Sequence, residues 1–218
     1  MLYRGECELY LNELDAAKKD YDKAIELDPV SGTGFQGLGF VALCSQDAKT
    51  ALNYFNQAIR LNTSPPPYVS RSVAEIALGD YHEAILDLAQ AERINPKNED
   101  GPETLLWVAR ALNGDVESAN AELRAFLEER KSSDEWGLKR VRFLLGEIGE
   151  DVFLQKTARA PAQLCEAYFY SGLKRLLAGD KSGAMDLFDT CTRFEIRGFV
   201  EDQLARIKLK ELSEKPGE

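Results

Sequence analysis

The sequence predicts an all-α chain, an α-solenoid of five to six helical hairpins plus a C-terminal capping helix. Three observations predict it. A pattern of small and large residues recurs every 33 or 34 positions. Inside each copy the residues fall three and four apart, which places them on one helix face. No βαβ pattern occurs anywhere in the 218 residues.

The copies are legible one after another. Gly5, Ala17, Tyr21 and Ala24 return 34 residues later as Gly39, Ala51, Phe55 and Ala58. A third copy, 33 further on, has Ala84, Leu88 and Ala91, with Pro96 closing it as Pro29 closes the first. A weaker fourth has Gly114-Asp115, Ala119 and Leu123, and a late one has Gly172, Gly179-Asp180, Ala184, Phe188 and Cys191. Small residues let a second helix approach closely, and the large residue between them fills the remaining groove. Gly79-Asp80 and Gly179-Asp180 pair a helix-ending glycine with a helix-capping aspartate. Asp28-Pro29 and Asn95-Pro96 mark the other boundary. Each unit is thus a helix–turn–helix hairpin whose apolar face is buried only by stacking on its neighbours.

The segments Asp15 to Pro29 and Leu78 to Ala91 resemble the tetratricopeptide repeat (TPR) family. The resemblance implies a right-handed TPR superhelix. Residues 1–131 form the N-terminal units, three good ones, the first truncated, and a degenerate fourth. Residues 132–212 hold a degenerate hairpin, one good unit and the capping helix, and 213–218 form a frayed tail. Val200, Leu204 and Ile207 give that last helix one apolar stripe, and its other faces are largely charged, as suits a cap. By register, Met1 falls about three residues inside a first helix, so a segment before Met1 is expected.

Asp134 to Ile148 and Tyr168 to Phe188, with the helix after Gly198-Phe199-Val200-Glu201, are similar to the NlpI-type bacterial TPR lipoproteins. That resemblance implies dimeric envelope adaptors that hold peptidoglycan hydrolases and a processing protease together, without catalytic residues. It implies a cell-envelope or periplasmic location if a signal precedes this chain, and a cytoplasmic one otherwise. The signal sequence and lipobox cysteine of that family are not in this sequence. Packing at a distorted hairpin is the simpler reading of Trp136 and Gly137.

Net charge is −10, with a pI near 4.8. This argues against a nucleic-acid partner, because phosphate binding needs clustered Lys and Arg. No apolar run is long enough for a membrane span. The single histidine, His82, removes most metal sites and most His-dependent catalysis. No metal or cofactor is implied, and no enzyme is expected. Gly32 to Gly37 fits G-x-G-x-x-G, but Lys18 to Leu27 before it is helical, where a dinucleotide site needs a strand. Those glycines are read as the opening of a helix, and so are the prolines of Ser64 to Tyr68. Asn62-Thr63-Ser64 is a formal glycosylation sequon. Cys7, Cys44, Cys165 and Cys191 contain no C-x-x-C. They read as buried thiols, and the repeat register brings Cys165 and Cys191 near each other, so one disulfide stays open.

In TPR arrays the first helix of each hairpin lines the concave surface. Carried onto this register, the family's groove positions are Gln36, Phe40 and Leu43, then Val69, Val73 and Ile76, then Thr104, Val108 and Ala111. The repeat's signature residues already supply the stripe that packs between helices, so this second apolar stripe is surplus. It is expected to bind a helix or extended segment of a protein or peptide partner. The alternative is a structural module whose superhelix closes on itself or forms a homodimer, covering the same surface. Co-chaperone TPR domains grip a partner's C-terminal carboxylate with cationic side chains; Glu6, Gln36, Phe40 and Val73 offer none.

Overall fold

The computed structural model describes residues 1–61, 65–95, 103–129, 135–154, 160–196 and 198–214. Among them the chain is all-α, with no strand. Six hairpins follow one another: α1 (Leu2–Tyr10) with α2 (Leu14–Leu27), α3 (Thr33–Cys44) with α4 (Ala48–Leu61), and α5 (Pro65–Leu78) with α6 (Tyr81–Ile94). Then come α7 (Glu103–Leu112) with α8 (Val116–Glu129), α9 (Glu135–Leu144) with the short α10 (Glu150–Leu154), and α11 (Pro161–Leu177) with α12 (Lys181–Thr192). The last helix is α13 (Val200–Ser213). The sequon at 62–64, Pro96 and the tail at 215–218 lie outside the described residues.

The recurrent pattern is an interlock. Ala51, Phe55 and Ala58 of α4 are fully buried, as are Ala184, Phe188 and Cys191 of α12. Each large ring lies against a glycine of the partner helix. A Cβ on Gly39 would come within 2.3 Å of Phe55, and one on Gly172 within 2.7 Å of Phe188. Gly37 is crossed in the same way by Tyr21, again at 2.3 Å. This also accounts for the G-x-G-x-x-G stretch: its glycines open α3 and let α2 and α4 pack against it. Burying one such ring contributes roughly 1.5–3 kcal/mol, and the glycine makes the approach possible.

Turns follow their chemistry. Gly79, Gly114 and Gly179 end helices at φ +81°, +87° and +86°, the left-handed region that glycine enters without cost. Asp180 caps α12 by accepting a bond from the Gly183 amide at 2.9 Å, whereas the Asp80 side chain caps nothing. Among the described residues three hairpins carry a further clip, one of them Arg110 on α7 holding both carboxylate oxygens of Glu122 on α8 at 2.6 Å. Arg71 on α5 grips Asp87 on α6 through both carboxylate oxygens at 2.6 Å, and Arg4 on α1 grips Asp20 on α2 likewise.

The first helices of the hairpins form the inner row: α1 touches α3 and α3 touches α5, while α2, α4 and α6 are less closely packed with one another. In the fifth hairpin Trp136 and Phe143 each stack on Phe153, so the Trp136 ring is packing. Gly39→Ala is expected to force α3 and α4 apart and cost about 1–3 kcal/mol, read as a lower melting midpoint by circular dichroism at unchanged helix content.

Candidate partner-binding site

Where α13 goes decides what the inner row can offer. It packs on α12 and α11, as a next unit would, and also reaches α5 across the array. Gln203 lies 3.3 Å from the Cys44 sulfur of α3, and the Lys208 ammonium donates to the Tyr81 hydroxyl at 3.1 Å. Gly198, just before α13, stands against the Tyr10 ring of α1. The final helix therefore spans from the last hairpin back to the first three and closes the array on itself.

This placement buries polar groups that the sequence places on a solvated face. Glu201, Asp202, Gln203 and Lys208 are 9%, 0%, 2% and 3% exposed. Each has a partner. Asp202 is held by Arg206, which also donates to the Thr192 carbonyl oxygen. Lys208 donates to Glu211 at 2.8 Å. Glu201 accepts from the Tyr170 hydroxyl at 2.9 Å. Beside it, Glu166 accepts from Trp136 Nε1 at 2.8 Å and from Arg140. Arg140 thus bonds Glu166 and acts on Glu201 through its charge alone. Burial first, and then the Glu166 charge, push the Glu201 carboxyl up to about 7 against the pull of Arg140.

The sequence-derived groove residues separate accordingly. Leu43, Val73, Ile76, Val108 and Ala111 are buried in the core. Val69 is half-buried against that core, and Thr104 is half-buried and within hydrogen-bonding reach of the Tyr170 hydroxyl. Gln36 and Phe40, also half-buried, line an open cavity of about 430 Å³. Its walls are Leu2, Tyr3, Glu6, Leu9 and Tyr10 of α1 and Thr33, Gln36, Gly37 and Phe40 of α3, with Tyr21 behind and Gly198 at one side. Gln36 is steadied by a 2.9 Å hydrogen bond to Ser70, and Phe40 by an edge-on contact with Phe55. Of the α1 residues of this wall only Glu6 is named from the sequence, though Leu2, Leu9 and Tyr10 share its helix face by spacing. Among the described residues no lysine or arginine lines the cavity, and Glu6 is the one carboxylate there.

Among the described residues no cluster of His, Cys, Asp and Glu could hold a metal ion. No described helix is long and apolar enough to cross a membrane.

The repeat geometry has its counterpart in known proteins. The tetratricopeptide repeat family model matches residues 4–31 and 66–98. Those two segments are tetratricopeptide repeats. A TPR protein from Parabacteroides merdae shares the fold with a TM-score of 0.58 at 18% identity, over 95% of this chain and 82% of that one. MamA aligns with a TM-score of 0.50 at 17% identity, over 88% and 94%. In sequence the chain is 26% identical over 206 residues to the lipoprotein NlpI homolog of Haemophilus influenzae, covering 90% of this chain. It spans 64% of that relative's length.

The buried carboxyls give this chain a pH dependence of defined sign. Glu75, pushed up to about 8 by burial and then by Asp87, behaves like Glu201. Such acids favour the protonated folded state. Their contribution is complete below the ordinary carboxylate range and is lost as pH rises through about 7 for Glu201 and about 8 for Glu75. The urea midpoint is therefore expected to be higher near about pH 5 than near about pH 8.5. Glu201→Gln should remove the part of that slope that lies between about pH 4.5 and about pH 7, as measured by denaturation at several pH values.

Proposed function

We propose that this chain is a non-enzymatic TPR adaptor that holds a segment of a partner protein in the cavity between α1 and α3. One observation carries the reading. Much of the inner row is buried, while the stretch bearing Gln36 and Phe40 stays open and continuous with exposed apolar side chains of α1, Tyr3 at 86% exposure among them. An aromatic-walled recess with Glu6 at its edge, on a chain of net charge −10, suits an apolar anchor residue flanked by Lys or Arg. It does not suit a C-terminal carboxylate. Similarity to a protein described as a lipoprotein NlpI homolog supports an adaptor role at the cell envelope.

The test is titration of the full chain with fluorescent peptides carrying a central Phe, Leu or Trp between lysines. Phe40→Asp and Tyr3→Asp are each expected to weaken binding more than about tenfold with the helical circular-dichroism signal retained. Binding unchanged in both variants rejects the cavity as the site. A tight dimer by light scattering that dissociates in Tyr3→Asp, with no peptide bound by the parent chain, assigns the surface to self-association instead.

A further inference from the structure

Cys165 on α11 and Cys191 on α12 are both fully buried, and their sulfurs lie 2.8 Å apart. That is closer than unbonded sulfur atoms rest in simple contact. The position is a repeat feature: the same pair of sites in the second unit holds Gly32 and Ala58, where a Cβ on Gly32 would come within 2.7 Å of the Ala58 carbonyl oxygen. The two helices of a hairpin cross there, so side chains at these sites must meet. The remaining thiols are elsewhere, Cys7 exposed on α1 and Cys44 against Gln203.

We propose that Cys165 and Cys191 form a disulfide when the chain folds in the presence of a disulfide oxidant. With oxidised glutathione, one cysteine thiolate attacks a glutathione sulfur, the S–S bond breaks, and one glutathione thiolate leaves. The second cysteine attacks the protein sulfur of the mixed disulfide, and the second glutathione leaves. The two protein sulfurs lose two electrons, glutathione disulfide gains them, and the two thiol protons pass through solvent to the released thiolates. Timing follows from burial. Once the chain is folded neither thiol meets solvent, and contact with Cys165 together with burial raises the Cys191 thiol's pKa, so the thiolate is scarce. Oxidation thus belongs to the folding chain, before α13 docks with the Glu201 carbonyl oxygen 3.9 Å from the Cys191 sulfur. The bond ties α11 to α12 beneath the seat of α13 and closes a loop between residues 26 apart.

The full chain, unfolded and refolded in a glutathione redox buffer, is blocked with N-ethylmaleimide under denaturing conditions and mapped by mass spectrometry. Expected are two blocked thiols, Cys7 and Cys44, a Cys165–Cys191 linked peptide, and a melting midpoint about 5–10 °C above that of the reduced chain. Folded, reduced protein given the same buffer should oxidise at least about tenfold more slowly. Cys191→Ala, which restores the residue of the other units, should fold and melt alike in both buffers; if it fails to fold, Cys165→Ser serves in its place. Four blocked thiols after oxidative refolding, or a bond that uses Cys7 or Cys44, overturns the proposal.

Discussion

An aromatic ring on a second helix, passing where a first helix has only a hydrogen, sets the distance between helices in the first, second and sixth units, and Leu88 and Leu123 fill the same site in the third and fourth. Phe55 over Gly39 and Phe188 over Gly172 join the two helices of one hairpin, and Tyr21 over Gly37 joins the first hairpin to the second. The flanking alanines keep both ridges shallow, so the axes come close and the ring is enclosed. Repetition of that contact gives successive hairpins a similar relation to one another, and a row of similar relations is a solenoid. The degenerate fifth hairpin replaces it with a stack of Trp136, Phe153 and Phe143. There the second helix shrinks to five residues.

The solenoid's curvature then makes a second problem and its solution. A row of first helices that is tighter than the row outside it leaves an inner wall with apolar side chains. Here the chain supplies its own covering in α13, which meets both the last hairpin and the third. A helix surrounded on several sides must bury whatever it carries. Glu201, Asp202, Gln203 and Lys208 are accordingly paired with Tyr170, Arg206, Cys44 and Glu211. Such pairs offset the loss of hydration more than they add stability, and they specify where the helix sits. Coverage stops short of α1 and the first half of α3, and the cavity opens there.

Much of this was legible from residue spacing. The alanine–aromatic–alanine stripes, the helix-ending glycines before Asp80 and Asp180, and the helical start at the prolines of α5 all follow from local chemistry. The Arg4–Asp20 and Arg71–Asp87 clips were not found that way, although the two pairs stand at equal separations in the sequence. Charged residues at helical spacing read as solvated surface, and only the facing of α1 on α2 and of α5 on α6 shows otherwise. The same holds for α13, whose charged faces suit an exposed cap until its neighbours are known.

The sequence by itself determined the hairpin, its turns and its recurrence five to six times, because these depend on contacts between residues a few tens of positions apart. Only the tertiary structure decided which part of the inner wall stays open. That depends on the meeting of Gln203 with Cys44 and of Lys208 with Tyr81, 159 and 127 residues apart. Small angles between successive hairpins add up along the array, and their sum, which no single repeat encodes, brings the last helix back to the first ones.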